Sequence, residues 1–181
     1  MNADKISMGG VFPPLTVKGD HTPSRSETGI GAIMPWANRL WFVTYVAHKT
    51  NGGGTGLFTV NDNFDILRHK ESRIGTYANR MIPQESDQLI IGPHAVDSEG
   101  NVRTFEDLEN IRLTATARHL TDPANKVYFL GMEGGFYEAD VGTLAVRRIC
   151  DLVKKLKIRS KAHFKGAFTD HGRVVVANNS Y

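Results

Sequence analysis

LTATARHLTDPANKVYFLGMEGGFYEADVGTLAVRRICDL, residues Leu113–Leu152, decides the fold. LTATARHL alternates small or apolar side chains with polar ones, the period of a half-buried strand. TDPANK follows, a turn signal built on Asp122 and Pro123. VYFLGME is a second β-type run. GFYEADVGTLAVRRICDL then folds back on itself through Val141-Gly142-Thr143. The stretch predicts four short antiparallel strands joined by tight turns.

The same pattern brackets this unit on both sides. Upstream, GAIMP, WANR and LWFVTYVAH read as strand, turn and strand, and TGLFTVNDNFDILRH adds a hairpin turning at Asn61-Asp62-Asn63. Between them, ANRMI, PQESD and QLIIGPHAVD read as strand, turn and one continuous strand, with NVRTFEDL completing part of that unit. Downstream, HFKGAFT, DHGR and VVVANNSY open a fourth unit. Second strands starting near Leu40, Leu89, Val127 and Val174 are 49, 38 and 47 residues apart. Four-stranded units repeating every 40–50 residues are the signature of β-propeller blades. An ordinary sandwich with irregular hairpins is the alternative. The expected fold is an all-β propeller, with a lead-in at 1–28 and the N-terminal part of one domain at 29–181. The fourth unit stops at Tyr181 after two strands, so about three and a half blades are expected here. The remainder of the ring is expected as a continuing or second chain, because a bare sheet edge invites aggregation.

Composition narrows the class further. The chain has 181 residues, 40% of them hydrophobic, enough to build a core. Its net charge of +3 and pI near 9.0 suit anionic ligands as well as nucleic acid. No basic patch interleaved with aromatics supports nucleic acid. The densest basic run, KKLKIRSK at Lys154–Lys161, reads as a solvated connection, with a polyanion contact as the second reading. Cys150 excludes an intrachain disulfide and reads as a buried inert thiol on a strand. MNADKISMGG at the start has no apolar h-region of the kind a signal peptide carries, and no apolar run is long enough to span a bilayer. NGGGTG (Asn51–Gly56) lacks the Lys-Ser/Thr of a phosphate loop and reads as a hairpin loop. NDNFD (Asn61–Asp65) lacks the glycine and terminal glutamate of a calcium loop and reads as a turn.

Propeller geometry sorts the polar residues onto faces. The start of each innermost strand and the end of each second strand share one face. GDHTPSRSETGIG (Gly19–Gly31) leads into the first strand and brings Ser26, Glu27 and Thr28 to that face, with His48 just past the second strand. The second unit contributes Tyr77, Asn79, Arg80 and His94, and the third Thr114, Thr116 and Glu133. The fourth contributes His163, Lys165 and Asn178. Arg118 and His119 belong lower in the channel or on the opposite face, and His171 falls in an exposed turn there. A face rich in Arg, Lys and His with few carboxylates suits an anionic ligand. Any single histidine here is equally well read as a hydrogen-bonded channel filler. Scattered histidines lack metal-ligand spacing, so no cofactor is expected, although a channel-bound ion such as calcium is compatible with the fold.

Longer strings carry a resemblance. GDHTPSRSETGIGAIMPWANRLWFVTYVAHK, GTGLF, GTYANRM, LIIGPH, LTATARHLTDP, KVYFLGMEG and GRVVVANNSY resemble the seven-bladed β-propeller α-L-rhamnosidases of glycoside hydrolase family 145. These remove L-rhamnose α-1,4-linked to D-glucuronic acid. A related group, polysaccharide lyase family 27, cuts the same linkage by elimination. The resemblance covers the chain from Val11 onward. It implies a ring of seven blades, an acidic oligosaccharide such as an arabinogalactan side chain as partner, no nucleic acid or membrane partner, and a periplasmic or secreted location. It also implies histidine-assisted hydrolysis in place of the usual two carboxylates, with His48 or His21 as the proton-transfer group. Arg25, Glu27, Tyr77, Arg80, His94, His163 and Lys165 would contact substrate. In the lyase variant, Arg or Lys neutralises the uronate carboxylate while a histidine or Tyr77 takes the C5 proton. A non-catalytic propeller that binds a glycan or a protein is the remaining class.

Overall fold

The structure is a computed structural model that describes residues 28–46 and 55–179. They form four small antiparallel sheets in chain order. Sheet 1 holds β1 (Thr28–Trp36), β2 (Arg39–Val46), β3 (Leu57–Val60) and β4 (Ile66–Arg68). Sheet 2 holds β5 (Arg80–Met81), β6 (Leu89–Ile91), β7 (His94–Val96) and β8 (Val102–Thr104), and a 3-10 turn at Glu106–Leu108 leaves it. Sheet 3 holds β9 (Leu113–Arg118), β10 (Lys126–Gly131), β11 (Gly135–Asp140) and β12 (Val146–Asp151). A single helical turn, α1 (Leu152–Lys155), leads on to sheet 4, the hairpin β13 (Phe164–Asp170) and β14 (Arg173–Asn178). Strands within each four-stranded sheet neighbour one another in sequence order, so every connection is a hairpin.

Turn chemistry fixes these registers. Ala37 and Asn38 both take positive φ, 46° and 56°, between the paired Trp36 and Arg39. That two-residue geometry matches the right-handed strand twist. The NDNFD stretch is a side-chain-braced turn: Asn61 Oδ1 accepts the N–H groups of Asn63 and Asp65 at 3.0 and 2.9 Å. Sheet 2 departs from the sequence pattern. QLIIGPHAVD is not one strand but two, broken at Gly92-Pro93. Gly92 has φ +56° and its N–H reaches the Asn79 carbonyl at 3.1 Å, while Pro93 has no N–H to offer a ladder.

The first strands of the sheets lie side by side and start at one rim. Tyr77 bridges Leu113 in parallel, and the Ala78 N–H donates to the Leu113 carbonyl at 2.8 Å. At the other end Thr169 of β13 donates its hydroxyl to the carbonyl of Arg118 at 2.8 Å. Two apolar clusters fill the gaps. One joins sheets 1 to 3 through Trp41, Leu57, Leu89, Ile90, Ile91, Phe105 and Phe129. Phe105 and Phe129 meet edge to face at 5.2 Å. The other joins sheets 3 and 4 through Tyr128, Leu130, Phe136 and Phe164. Polar ties cross both joints of sheet 2: Trp36 Nε1 donates to the Asp97 carbonyl at 2.8 Å, and Arg103 donates to the carbonyls of Gly142 and Val141. Cys150, on β12, is half-buried rather than fully enclosed.

The four sheets do not close into a ring. Ile30 and Ile33 of sheet 1 and Phe168 and Val175 of sheet 4 remain exposed, the last two at 69% and 62%. No helix among the described residues is long and apolar enough to cross a membrane.

Gly31 lies where β1 passes the chain entering sheet 2, and a Cβ there would collide with the Tyr77 carbonyl. Backbone cannot yield as a flexible side chain does. Gly31→Ala is expected to lower stability by about 2–4 kcal/mol and Phe129→Ala by about 3–5 kcal/mol, both read from urea midpoints.

Candidate functional site

The rim shared by the first-strand starts is the candidate site. His21, Arg25, Glu27 and His48 lie outside the described residues. Among the others, backbone position and side-chain direction give different answers.

Tyr77 sits at the rim, but its ring turns inward and is 1% exposed. Its hydroxyl donates to the Glu109 carbonyl at 2.6 Å. Burial, reinforced by the Glu109 carboxylate, raises its pKa well above the usual phenol range, so it is no ready base. Gly75 makes this possible: a Cβ there would lie 2.5 Å from the Tyr77 ring. The G-x-Y spacing recurs at Gly135 and Tyr137, with the same closeness. Arg73 completes the local network by pairing with Glu109.

His94 is likewise turned inward and fully buried. Its Nδ1 meets Thr104 Oγ1 at 3.0 Å, and its Nε2 has no hydrogen-bond partner. Burial lowers its pKa to about 3, and the charges of Arg73 and His69 push the same way. It is therefore neutral near neutral pH and is no general acid for a ligand there. Asn79 is buried as well, its amide donating to the Gly92 carbonyl at 2.9 Å and to Thr116 Oγ1 at 2.8 Å. Thr114 is closed off in the same way, its hydroxyl reaching the Leu130 carbonyl at 3.3 Å. Tyr77 and His94 thus depart from their expected place as substrate contacts, because the pleat sends both side chains between sheets.

The remaining positions stay open at the rim. Arg80 opens β5, is exposed, and forms no ion pair among the described residues. Lys165, near the start of β13, is exposed and equally free of an ion pair. Glu133 is engaged by Arg112, whose Nε lies 2.6 Å from its carboxylate. His163 is half-buried with Nε2 2.6 Å from the Met132 sulfur, and its backbone N–H donates to Asn178 Oδ1 at 2.9 Å. Beside the paired Arg112 and Glu133, the described part of the rim therefore offers two cations, Arg80 and Lys165, that no described carboxylate engages, and such cations can hold an acidic group.

Arg118 and His119 end β9 on the opposite rim. His119 Nδ1 accepts the N–H groups of Thr121 and Asp122, so the neutral ring carries its proton on Nε2 and donates it to Glu138 at 2.9 Å. Glu138 also meets Arg147 at 3.1 Å and Lys126 at 3.3 Å. The His119 hydrogen bond leads these in holding its pKa down to about 2, against the cost of burial. This hub escaped sequence reading because its members lie on four different segments. His69 escaped it too: it stacks on Trp41 at 4.6 Å and meets Thr59 Oγ1 at 3.1 Å, where TGLFTVNDNFDILRH showed only a hairpin end. His171 is exposed in its turn beside Asp170, as the pattern indicated.

Among the described residues, no three His, Cys, Asp or Glu side chains converge as a metal-ligand set. No known family model matches the chain, and no curated protein matches it.

The buried neutral His94 makes stability pH-dependent. Its folded pKa lies below its unfolded value of 6.5, so the unfolded chain binds more protons in acid. Its stabilisation is complete above pH 6.5 and is lost as pH falls toward 3. His69 is shifted in the same direction, chiefly by burial, and adds to the slope. Equilibrium unfolding is expected to lose up to about 1.4 kcal/mol per pH unit below that point from the His94 contribution. His94→Asn, whose amide can keep the Thr104 bond, is expected to flatten the profile between pH 6.5 and 4.5, above the range where Glu138 titrates.

Proposed function

We propose that the chain is the N-terminal part of a seven-bladed β-propeller enzyme that releases terminal L-rhamnose α-1,4-linked to D-glucuronate. The supporting observation is the shared rim: successive first strands start there, and Arg80 and Lys165 stand exposed on it without carboxylate partners. The string resemblance supplies the substrate class, and exposed cations such as Arg80 and Lys165 are what a uronate carboxylate requires.

In this reading Arg80 and Lys165, with Arg25, hold the carboxylate. His48 or His21 donates a proton to the glycosidic oxygen in its charged form or activates water in its neutral form. Glu27 and His163 contact the sugar. Tyr77 and His94 serve the scaffold, since both are sealed between sheets. Exposed apolar faces on sheets 1 and 4 support the open-ring reading, because closing the ring covers both. The elimination chemistry of the related lyases needs the same cations and a histidine base. Cations alone do not separate the two, and the buried Tyr77 leaves the histidines as the candidate bases.

Incubation with rhamnosyl-α-1,4-glucuronate, following both free rhamnose and the ultraviolet absorbance of an unsaturated uronate, tests the reading. Rhamnose without new absorbance is the expected result. Absorbance rising with rhamnose replaces hydrolysis by elimination, and binding without turnover leaves a glycan-binding propeller. His48→Ala or His21→Ala, whichever is the proton-transfer group, is expected to lower kcat by about 100-fold or more while substrate affinity is kept.

A further inference from the structure

The connection from sheet 3 to sheet 4 is an ordered strap and not a loose loop. It begins at Asp151, whose carboxylate accepts the Lys154 N–H at 3.2 Å. The Leu152 N–H donates to the Gly134 carbonyl at 2.8 Å, and at the far end the Phe164 N–H donates to the Met132 carbonyl at 2.9 Å. Both ends are thus pinned to the turn between β10 and β11, on the candidate-site rim. Between them the Leu156 N–H reaches the Leu152 carbonyl at 2.9 Å and the Ile158 N–H reaches that of Val153 at 3.0 Å. Leu152, Val153, Ile158 and Ala162 face the apolar cluster between sheets 3 and 4.

Apart from Leu156 and Ser160, the residues Lys154 to Lys161 that the strap exposes are all basic. Lys154, Lys155, Lys157, Arg159 and Lys161 are all exposed, and none forms an ion pair among the described residues. From residue 152 to residue 169 there is no Asp or Glu. Elsewhere on the described surface the arginines Arg73, Arg112, Arg118, Arg147 and Arg148 each have a carboxylate partner. Five like charges on a short braced segment repel one another, and that cost is relieved when an anion crosses them.

We propose that this strap is a docking surface for a polyanionic glycan, a chain carrying repeated uronate carboxylates, that approaches the rim from the side of sheet 4. The inference rests on the reading of the rim as a site for an acidic sugar and extends it from the terminal unit to the chain behind it. Lysine ammonium groups are compact point charges suited to carboxylates spaced along a flexible chain. Residues 152–163 contain no Phe, Tyr or Trp on which bases could stack, which favours a glycan over a nucleic acid. Lys165 continues the line of charge from the strap onto β13.

The test uses decagalacturonate, a neutral β-1,4-galactan oligomer and a single-stranded DNA decamer as probes, with the protein and its K154Q/K157Q/K161Q variant. The expected result is salt-sensitive binding of decagalacturonate, no binding of the neutral oligomer, weaker binding of DNA, and at least about tenfold lower decagalacturonate affinity in the variant, with a shallower salt dependence. Equal affinity of protein and variant, absence of decagalacturonate binding at low salt, or tighter binding of DNA would overturn the proposal. Rhamnose release from the rhamnosyl-glucuronate disaccharide separates it from the reading on which it rests. Turnover of the disaccharide without decagalacturonate binding removes the strap alone. Strap-dependent binding without turnover removes the enzyme alone.

Discussion

Sheet 2 exists because sheets 1 and 3 press on both its faces. Its strands are two or three residues long, too short to hold together as an independent sheet. Leu89, Ile90 and Ile91 are wholly buried although neighbouring side chains on a strand point to opposite faces. An apolar layer therefore lies on each side. The tie from Trp36 to Asp97 on one side and from Arg103 to Val141 and Gly142 on the other holds the stack in register. The same squeeze explains why His94 is neutral and why Tyr77 gives its hydroxyl to a backbone carbonyl. Rim residues of the middle sheet are largely taken up by the scaffold, and Arg80 is left exposed there.

Electrostatics divides the molecule in two. On the rim opposite the candidate site, Glu85 meets Arg118, and Glu138 gathers His119, Lys126 and Arg147. These pairs hold turns in place. The strap and the start of β13 carry cations that no described carboxylate answers. A modest net charge of +3 does not reveal this cluster of cations on the strap.

Strand order was legible from turn residues and alternation. Ala37-Asn38, the Asn61 turn, Val141-Gly142-Thr143 and His171-Gly172 all close hairpins where local chemistry favours them. The break at Gly92-Pro93 was missed because LIIGPHAV is apolar throughout, and a strand buried on both faces gives no alternation to mark its end. Side-chain direction was the harder half of the site. The expected blade pattern puts the backbone of Tyr77 and His94 at the candidate rim, yet the pleat turns both rings into the gap between sheets. Gly75, two residues before Tyr77, is the only local sign that the ring folds back. Cys150 shows a related limit: alternation identified its strand, but β12 is an outer edge strand and leaves it half-covered.

The chain's two tryptophans form one relay. Trp41 Nε1 donates to the carbonyl of Trp36 at 2.9 Å, and Trp36 Nε1 donates across to Asp97 at 2.8 Å. Both indoles therefore report on a single seam, that between sheets 1 and 2. Intrinsic emission follows the parting of that seam and is blind to the hairpin at the other end of the stack. A fluorescence melt and a circular-dichroism melt of this protein coincide only if the whole stack comes apart as one cooperative unit.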